Sequence, residues 1–104
     1  MRKFDVICSN GKTYECKRDR RGHETGNVAV EHKAIHHSQA DYIVYLIDGN
    51  DQLLQIYRFV LWDLLKDNWS RGPTRPWKVL QGGEYKDWMT LIPINDFIWF
   101  CECV

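Results

Sequence analysis

The stretch from Phe4 to Glu31 reads FDVICSNGKTYECKRDRRGHETGNVAVE, and the predicted fold is organised around it. It contains two segments of alternating polar and apolar residues joined by Ser9-Asn10-Gly11, then a polar loop, then a third alternating segment. Alternation with a period of two predicts β-strands, and an Asn-Gly pair between two such segments predicts a hairpin. Strand periodicity can therefore direct three carboxylates and one lysine to a single spot: Asp5, Glu15, Glu31 and Lys17.

The turn of this hairpin determines which side chains face each other. A two-residue Asn10-Gly11 turn would pair Asp5 with Cys16, on the apolar side. A three-residue loop with a left-handed Gly11 instead pairs Asp5 with Glu15 and Cys8 with Lys12. Only this second register collects the apolar residues on one side: Phe4, Val6, Tyr14 and Cys16. We therefore predict the bulged three-residue turn, with the charged side chains on the opposite side.

Composition and charge define the class of protein. Residues 1–104 are long enough for one domain with a core of its own, and 44% hydrophobic residues exclude a disordered chain. The tryptophans are predicted mostly as core residues: Trp62, Trp69, Trp77, Trp88 and Trp99. Exposure beside Arg71 and Arg75 is the alternative for Trp69 and Trp77. Fourteen basic and fourteen acidic residues give no net field for a polyanion, so DNA binding requires local basic clusters. Such clusters supply the DNA-binding candidates: Arg18, Arg20, Arg21, His23, Arg71, Arg75 and Lys78.

The start of the chain and its cysteines predict a cytoplasmic location. Met1-Arg2-Lys3 leads directly into a strand pattern rather than a signal peptide, and no apolar run approaches the ~20 residues of a membrane span. The cysteines are therefore expected to be reduced thiols. Zinc is the alternative, but the predicted mid-strand positions of Cys8 and Cys16 and the lone Cys101-x-Cys103 pair make it the weaker one.

Further strands and one helix are predicted along the rest of the chain. Residues 40–47 are apolar at both parities, so they predict a central strand buried on both faces. Residues 58–68 change to helical spacing, with a wide apolar stripe. The remaining predictions are strands at 2–8, 12–19, 27–33, 52–57 and 78–81, a polar loop at 20–26, a link at 35–39, a hairpin turn at 48–51 and a loop at 69–76. They continue with a helical turn at 84–90, an edge strand or extended piece at 91–94, and a cap at Asn95-Asp96 for a last apolar segment.

The charged side of the hairpin has the residue types that metal-dependent phosphodiester hydrolysis needs. That reaction needs a hard cation to neutralise charge on the phosphate and to lower the pKa of the attacking water. Magnesium prefers carboxylate oxygens and retains several waters, so two carboxylates and a backbone carbonyl are a sufficient platform. Asp5 and Glu15 are the predicted metal ligands, with the carbonyl of Cys16 as a further ligand and Lys17 as the electrostatic partner.

Phe4-Asp5 followed by Glu15-Cys16-Lys17 resembles the PD-(D/E)XK nuclease superfamily, which includes type II restriction enzymes and Holliday-junction resolvases. The similarity to small, often phage-encoded members extends over further residues: Asp19, Thr25-Gly26-Asn27, Glu31 and Ala40-Asp41-Tyr42. The resemblance implies a restriction-endonuclease-like α/β (α+β) fold, a mixed β-sheet with flanking helices. The family's usual N-terminal helix is expected to be missing, because the sequence opens on the strand of Asp5.

The resemblance also implies a function, a cofactor and partners. The expected activity is a Mg²⁺-dependent (or Mn²⁺-dependent) DNA endonuclease, specific for branched DNA and acting as a homodimer. The implied catalytic residues are Asp5, Glu15 and Lys17, with Asp19, Asn27 and Glu31 supporting the metal site. The alternative is a catalytically inactive nuclease-like fold that serves as an adaptor for DNA or protein.

Each of these residues also has a structural explanation. Glu15 and Lys17 can form a solvated, salt-bridged surface worth about 0.2–1 kcal/mol per pair. Turn, strand-end or charge-partner roles are the alternatives for the other acidic residues: Asp19, Asp41 and Glu31. Solvation or contact with a DNA backbone suits the loop histidines: His23, His36 and His37.

Overall fold

The computed structural model of the chain describes residues 6–19, 22–47, 53–71, 77–82 and 87–103. Its elements form a mixed α/β structure, as the sequence predicts at the level of fold class. In chain order they are β1 Val6–Ile7, β2 Thr13–Asp19, α1 Gly22–Thr25, β3 Asn27–Glu31, α2 His32–His37, β4 Tyr42–Ile47, β5 Leu53–Tyr57, α3 Arg58–Arg71, β6 Lys78–Gly82, β7 Asp87–Pro93, α4 Ile94–Phe100 and β8 Glu102–Cys103.

The strands form two small sheets. Sheet 1 has the order β1-β2-β4-β5-β8, and sheet 2 has the order β3-β7-β6. In sheet 1 the β2–β4 pair is parallel and the other pairs are antiparallel, so this sheet is mixed. The parallel pair requires a crossover, and the chain makes it through β3 and α2.

The hairpin register is confirmed. Val6 pairs with Tyr14 and Ile7 with Thr13. Two hydrogen bonds of 2.9 Å close the turn, one from the N–H of Cys8 to the carbonyl of Lys12 and one from the N–H of Gly11 to the carbonyl of Cys8. Gly11 has φ +81°, the left-handed conformation that the bulged turn requires. Asp5 lies outside the described residues.

The core lies on one face of sheet 1, which we call its inner face. Alternate residues of β4 and β5 there are almost fully buried: Ile43, Tyr45, Ile47, Leu54 and Ile56. Sheet 2 and three helices supply the rest of this core: Val28, Val30, Ile92, Ile35, Leu61, Leu65 and Phe97. Full burial of an aliphatic or phenyl side chain contributes about 1.5–3 kcal/mol, so this single cluster is the main stabilising feature of the described fold.

The side of β2 that carries Tyr14 and Cys16, predicted to be apolar and buried, is the more exposed one, which corrects the sequence analysis for these two residues. Cys16 is exposed on the outer face, where Tyr14 is half-buried by stacking at 5.1 Å on Tyr42. Glu15 and Lys17 instead lie on the inner face, in register with Ile43 and Tyr45. This arrangement is possible because the charged groups there pair with one another and with polar neighbours, so their partial burial is compensated.

The prediction that the strand at residues 40–47 is buried on both faces is also corrected. Leu46 is 38% exposed, so β4 is buried on its inner face and only partly covered on the other. Two tryptophans predicted as core are exposed as well: Trp88 by 45% and Trp99 by 83%.

Several predicted element boundaries were wrong. The predicted link at 35–39 lies largely within helix α2, and the third strand ends at Glu31 rather than at residue 33. Residues 87–90 belong to β7 rather than to a helical turn, and β7 is the central strand of sheet 2 rather than an edge. Helix α3 continues to Arg71, and α4 begins at Ile94 with Pro93 as its N-cap.

No helix within the described ranges is long and apolar enough to span a membrane.

Candidate functional site

Glu15 and Lys17 form an ion pair on the inner face of β2. The Lys17 ammonium lies 3.0 Å from Glu15 Oε2, and the side chains are 35% and 17% exposed, respectively. Ser38 Oγ donates a 3.1 Å hydrogen bond to the other oxygen, Glu15 Oε1. The carboxylate is therefore held from two sides, by a cation on its own strand and by a hydroxyl that follows helix α2.

Asp19 ties the same strand to sheet 2. Its Oδ2 atom accepts a 3.1 Å hydrogen bond from the backbone N–H of Ala29 on β3. Glu15, Lys17 and Asp19 occupy alternate positions of β2, so their side chains share one face. Strand periodicity thus aligns one cation between two anions at the edge of the core.

A cleft of about 390 Å³ opens between β2, β3 and α2. Lys17, Asp19 and Glu31 line it together with apolar neighbours that include Ile35 and Tyr45. Burial raises the pKa of Tyr45 far above its ordinary value, so this phenol is neutral at physiological pH. The cleft therefore combines a charged rim from β2 and β3 with an uncharged, apolar base.

The predicted site residues divide into three groups. Lys17, Arg18, Asp19 and Glu31 border the cleft, and Glu15 joins them through its ion pair with Lys17. Asn27 lies instead in a local turn, where its amide nitrogen donates to the carbonyl of Thr25 at 3.3 Å. Outside the described residues lie Asp5, Arg20, Arg21 and Arg75.

The predicted DNA-binding residues are spread over both sheets and two helices. Arg18 is exposed on β2, and Lys78 is exposed on β6, in the other sheet. His23 belongs to the short helix α1, and Arg71 is the last residue of α3. Arg18 borders the cleft, and Lys78 does not.

Asp41 has the structural role at a strand end that the sequence analysis gave as the alternative to a role in the site. Its Oδ2 atom accepts hydrogen bonds from the backbone N–H and the hydroxyl of Thr13, at 2.9 and 3.1 Å. These bonds hold the pKa of Asp41 below its ordinary value. Asp41 therefore fastens the start of β4 to the start of β2, outside the cleft.

Two contributors were missed in the sequence. Ser38 is 7% exposed and orients Glu15, yet it falls within a stretch predicted as a plain link. His32 Nε2 lies 2.6 Å from the hydroxyl of Thr90, a fully buried residue of β7, and burial lowers the pKa of His32. A hydroxyl residue two positions before the strand predicted at 40–47 was the available signal for Ser38. His32 had no such signal, because its partner is distant in sequence.

The donor atoms at the site suit a hard cation in type, although the described residues do not complete a ligand set. Glu15 offers a carboxylate, whose two oxygens accept about four hydrogen bonds or metal contacts between them, so Ser38 and Lys17 leave room for more. Oxygen donors of this kind match Mg²⁺. Over the described ranges, no three His, Cys, Asp or Glu residues converge closely enough to hold a metal ion.

Comparison of the chain with protein-family models, curated proteins and solved structures finds no match.

Proposed function

We propose that the chain is a Mg²⁺-dependent DNA endonuclease. The observation that supports this most is the Lys17–Glu15 pair, a cation and a carboxylate 3.0 Å apart at the edge of an open cleft. A purely structural ion pair gains little at such a partly exposed position, whereas phosphodiester hydrolysis needs both charges next to a space for substrate.

The residues have separate tasks in this proposal. Glu15, the Cys16 carbonyl and Asp5 would hold the metal, which when bound neutralises phosphate charge and lowers the pKa of a water. Lys17 donates hydrogen bonds to the scissile phosphate or orients the attacking water. Ser38 fixes the rotamer of Glu15, and Asp19 keeps β3 against β2 so that the cleft retains its width.

The fold and partners extend the proposal. A mixed sheet with the Glu15 strand parallel to its neighbour, joined through α2, is compatible with a small restriction-endonuclease-like fold. Arg18 is placed to contact a phosphate beside the cleft. We propose that the protein acts as a homodimer, because a domain of 104 residues offers little area of its own for contact with DNA. The proposed substrate is branched DNA, and the proposed location is the cytoplasm.

A second candidate is a catalytically inactive adaptor of the same fold. One observation favours it: both carboxylate oxygens of Glu15 already have partners, Ser38 and Lys17. In that case the pair stabilises the edge of sheet 1 and the cleft only binds.

Plasmid nicking with Mg²⁺ tests the proposal, comparing wild type with Glu15→Gln and Lys17→Met. Each substitution should lower the nicking rate by about 100-fold or more, because Glu15→Gln removes a metal ligand's charge and Lys17→Met removes the cation that stabilises the anionic transition state. The matched controls are Glu24→Gln and Lys33→Met, which change exposed residues outside the cleft and should nick at the wild-type rate.

Equal nicking by wild type and by both site variants would overturn the endonuclease proposal. Binding of branched DNA by a wild type that does not nick it would favour the adaptor. Size-exclusion chromatography with light scattering tests the dimer independently of activity.

A further inference from the structure

A second cleft, of about 330 Å³, lies between α3, α4 and the start of β6. Its walls include three aromatic residues, Trp77, Trp99 and Phe100, and two carboxylates, Asp67 and Asp96. Residues of the nuclease-like site take no part in it. Trp99 is 83% exposed and Phe100 40% exposed, which are unusual values for large apolar side chains.

A buried side-chain oxygen that has no hydrogen-bond partner among the described residues belongs to this cleft. Asn68 is only 2% exposed, and its amide nitrogen donates a long, 3.4 Å hydrogen bond to the carbonyl of Trp77. In the described part of the chain, Asn68 Oδ1 has no hydrogen-bond donor. A buried carbonyl in this state carries an uncompensated desolvation cost, which a ligand with an N–H donor would relieve.

The walls favour a cation. Asp96 Oδ2 accepts a 3.0 Å hydrogen bond from the indole nitrogen of Trp77, which holds ring and carboxylate side by side. The ring of Phe100 meets that of Trp77 edge to face, with centroids 6.2 Å apart. Aromatic faces beside carboxylates attract a positive charge through both the ring quadrupole and direct Coulomb interaction, and they repel phosphates.

We propose that this cleft binds a guanidinium group. A guanidinium is flat enough to stack on an indole and carries N–H donors in several directions, which suits a cleft whose lining includes both Asn68 and Asp96. An ammonium is a compact, strongly hydrated charge that stacks less well. The group is presented either by an arginine side chain or by a small guanidino compound, and the proposal does not depend on nuclease activity.

The direct test is an NMR titration of the full chain at neutral pH, following the indole N–H signals. The probe is N-acetyl-arginine amide, and its matched control is N-acetyl-citrulline amide, which has the same shape without the charge. We expect saturable shifts with the arginine probe and binding weaker by about 10-fold or more with citrulline. Equal affinity for the two probes would overturn the proposal.

Substitutions locate the site. Trp99→Ala and Asn68→Leu should each weaken binding of the arginine probe by about 10-fold. The controls are Trp88→Ala, an exposed tryptophan outside the cleft, and Asp63→Asn, an exposed carboxylate on α3 outside it; both should bind as the wild type does. Trp99→Ala removes a mostly exposed side chain, so it keeps the test valid if Asn68→Leu fails to fold. Wild-type affinity in Trp99→Ala would contradict the proposal.

The source of the group is resolved by two further probes. The two probes are a blocked peptide with one arginine flanked by glycines, and agmatine. Tighter binding of the peptide assigns the cleft to an arginine of a protein partner. Tighter binding of agmatine assigns it to a small molecule. Failure of both to bind would overturn the site, whatever the result of the nicking assay.

Discussion

Asp19 on β2 accepts a hydrogen bond from the backbone N–H of Ala29 on β3, and this 3.1 Å contact joins the two sheets at the cleft. β3 is an edge strand of sheet 2, so its outward N–H groups need partners from elsewhere. A carboxylate is a strong partner because a charge-assisted hydrogen bond exceeds a neutral one in strength. The same side chain therefore satisfies an open sheet edge and forms one wall of the candidate site.

Removing this contact should destabilise the protein. We expect Asp19→Ala to lower the free energy of unfolding by about 1–2 kcal/mol, since the N–H of Ala29 loses its charged acceptor. Urea denaturation measures the change. Asp63→Ala is the control: it removes an exposed i,i+3 ion pair with Lys66 and should change stability by less than about 0.5 kcal/mol. Equal effects of the two substitutions would contradict the role given to Asp19.

The left-handed turn residue of the hairpin should tolerate few replacements. Apart from the two chain neighbours of Gly11, no heavy atom of the described residues lies within 4 Å of a Cβ built on it, so the cost of substitution arises from backbone strain at φ +81°. Gly11→Ala should cost about 1–2 kcal/mol, and Gly11→Asn clearly less, because Asn adopts this conformation more readily. Thermal unfolding of both variants checks the order; equal melting temperatures would count against the bulged turn.

His32 should make stability depend on pH. Burial lowers the pKa of His32 in the folded protein below the ordinary histidine pKa of 6.5. As the pH falls below 6.5, His32 is therefore protonated in the unfolded chain before it is protonated in the folded protein. The contribution of neutral His32 is complete above that pH and is lost as the pH falls through the native pKa. The free energy of unfolding, measured by urea denaturation from neutral to mildly acidic pH, should therefore fall less steeply in His32→Gln than in wild type. His36→Gln, an exposed control, should follow the wild-type curve.

Tyr42 should have the opposite effect in alkali. A hydrogen bond with Tyr57 and burial raise the pKa of Tyr42 to about 12. Its contribution is complete below the ordinary value of 10.0 and is lost as the pH rises through the native pKa. Tyr57→Phe removes the hydrogen bond and should lower the pKa of Tyr42. Ultraviolet titration of tyrosinate measures this pKa, and Tyr42→Phe is the reference that identifies the Tyr42 signal. The same Tyr42 pKa in Tyr57→Phe and in wild type would contradict the role of this hydrogen bond.

Local chemistry made part of the structure predictable. The hairpin register follows from the Asn10-Gly11 turn and from alternation over a few residues, and both act between neighbours in sequence. Helix α3 follows from its apolar stripe in the same way. Since Glu15 and Lys17 are two residues apart on a strand, their shared face was predictable from periodicity alone.

Contacts between distant segments explain what was missed. Helix α2 is six residues long and buries Ile35 alone, so its sequence has no helical period, and packing against the core determines its conformation. Strand β7 pairs on one side with β3, which is remote in sequence, and on the other side with β6, and such pairing overrides local propensity. Which face of β2 is buried depended on Ser38 and Ala29, which contact the inner face from segments that are distant in sequence. The pairing of Asp5 remains a prediction.

The order of strands along the chain has a consequence for how the protein folds. The chain passes from sheet 1 to sheet 2 and back twice: β1 and β2, then β3, then β4 and β5, then β6 and β7, then β8. Neither sheet can therefore be completed before most of the chain has been synthesised, because β3 pairs with β7 and β5 pairs with β8. Closing loops over such separations costs chain entropy before the stabilising contacts between strands can form. Folding should therefore be slow for a chain of this size. Fragments from either half should expose unpaired strand edges, so the chain should be sensitive to truncation and prone to aggregate as a nascent intermediate.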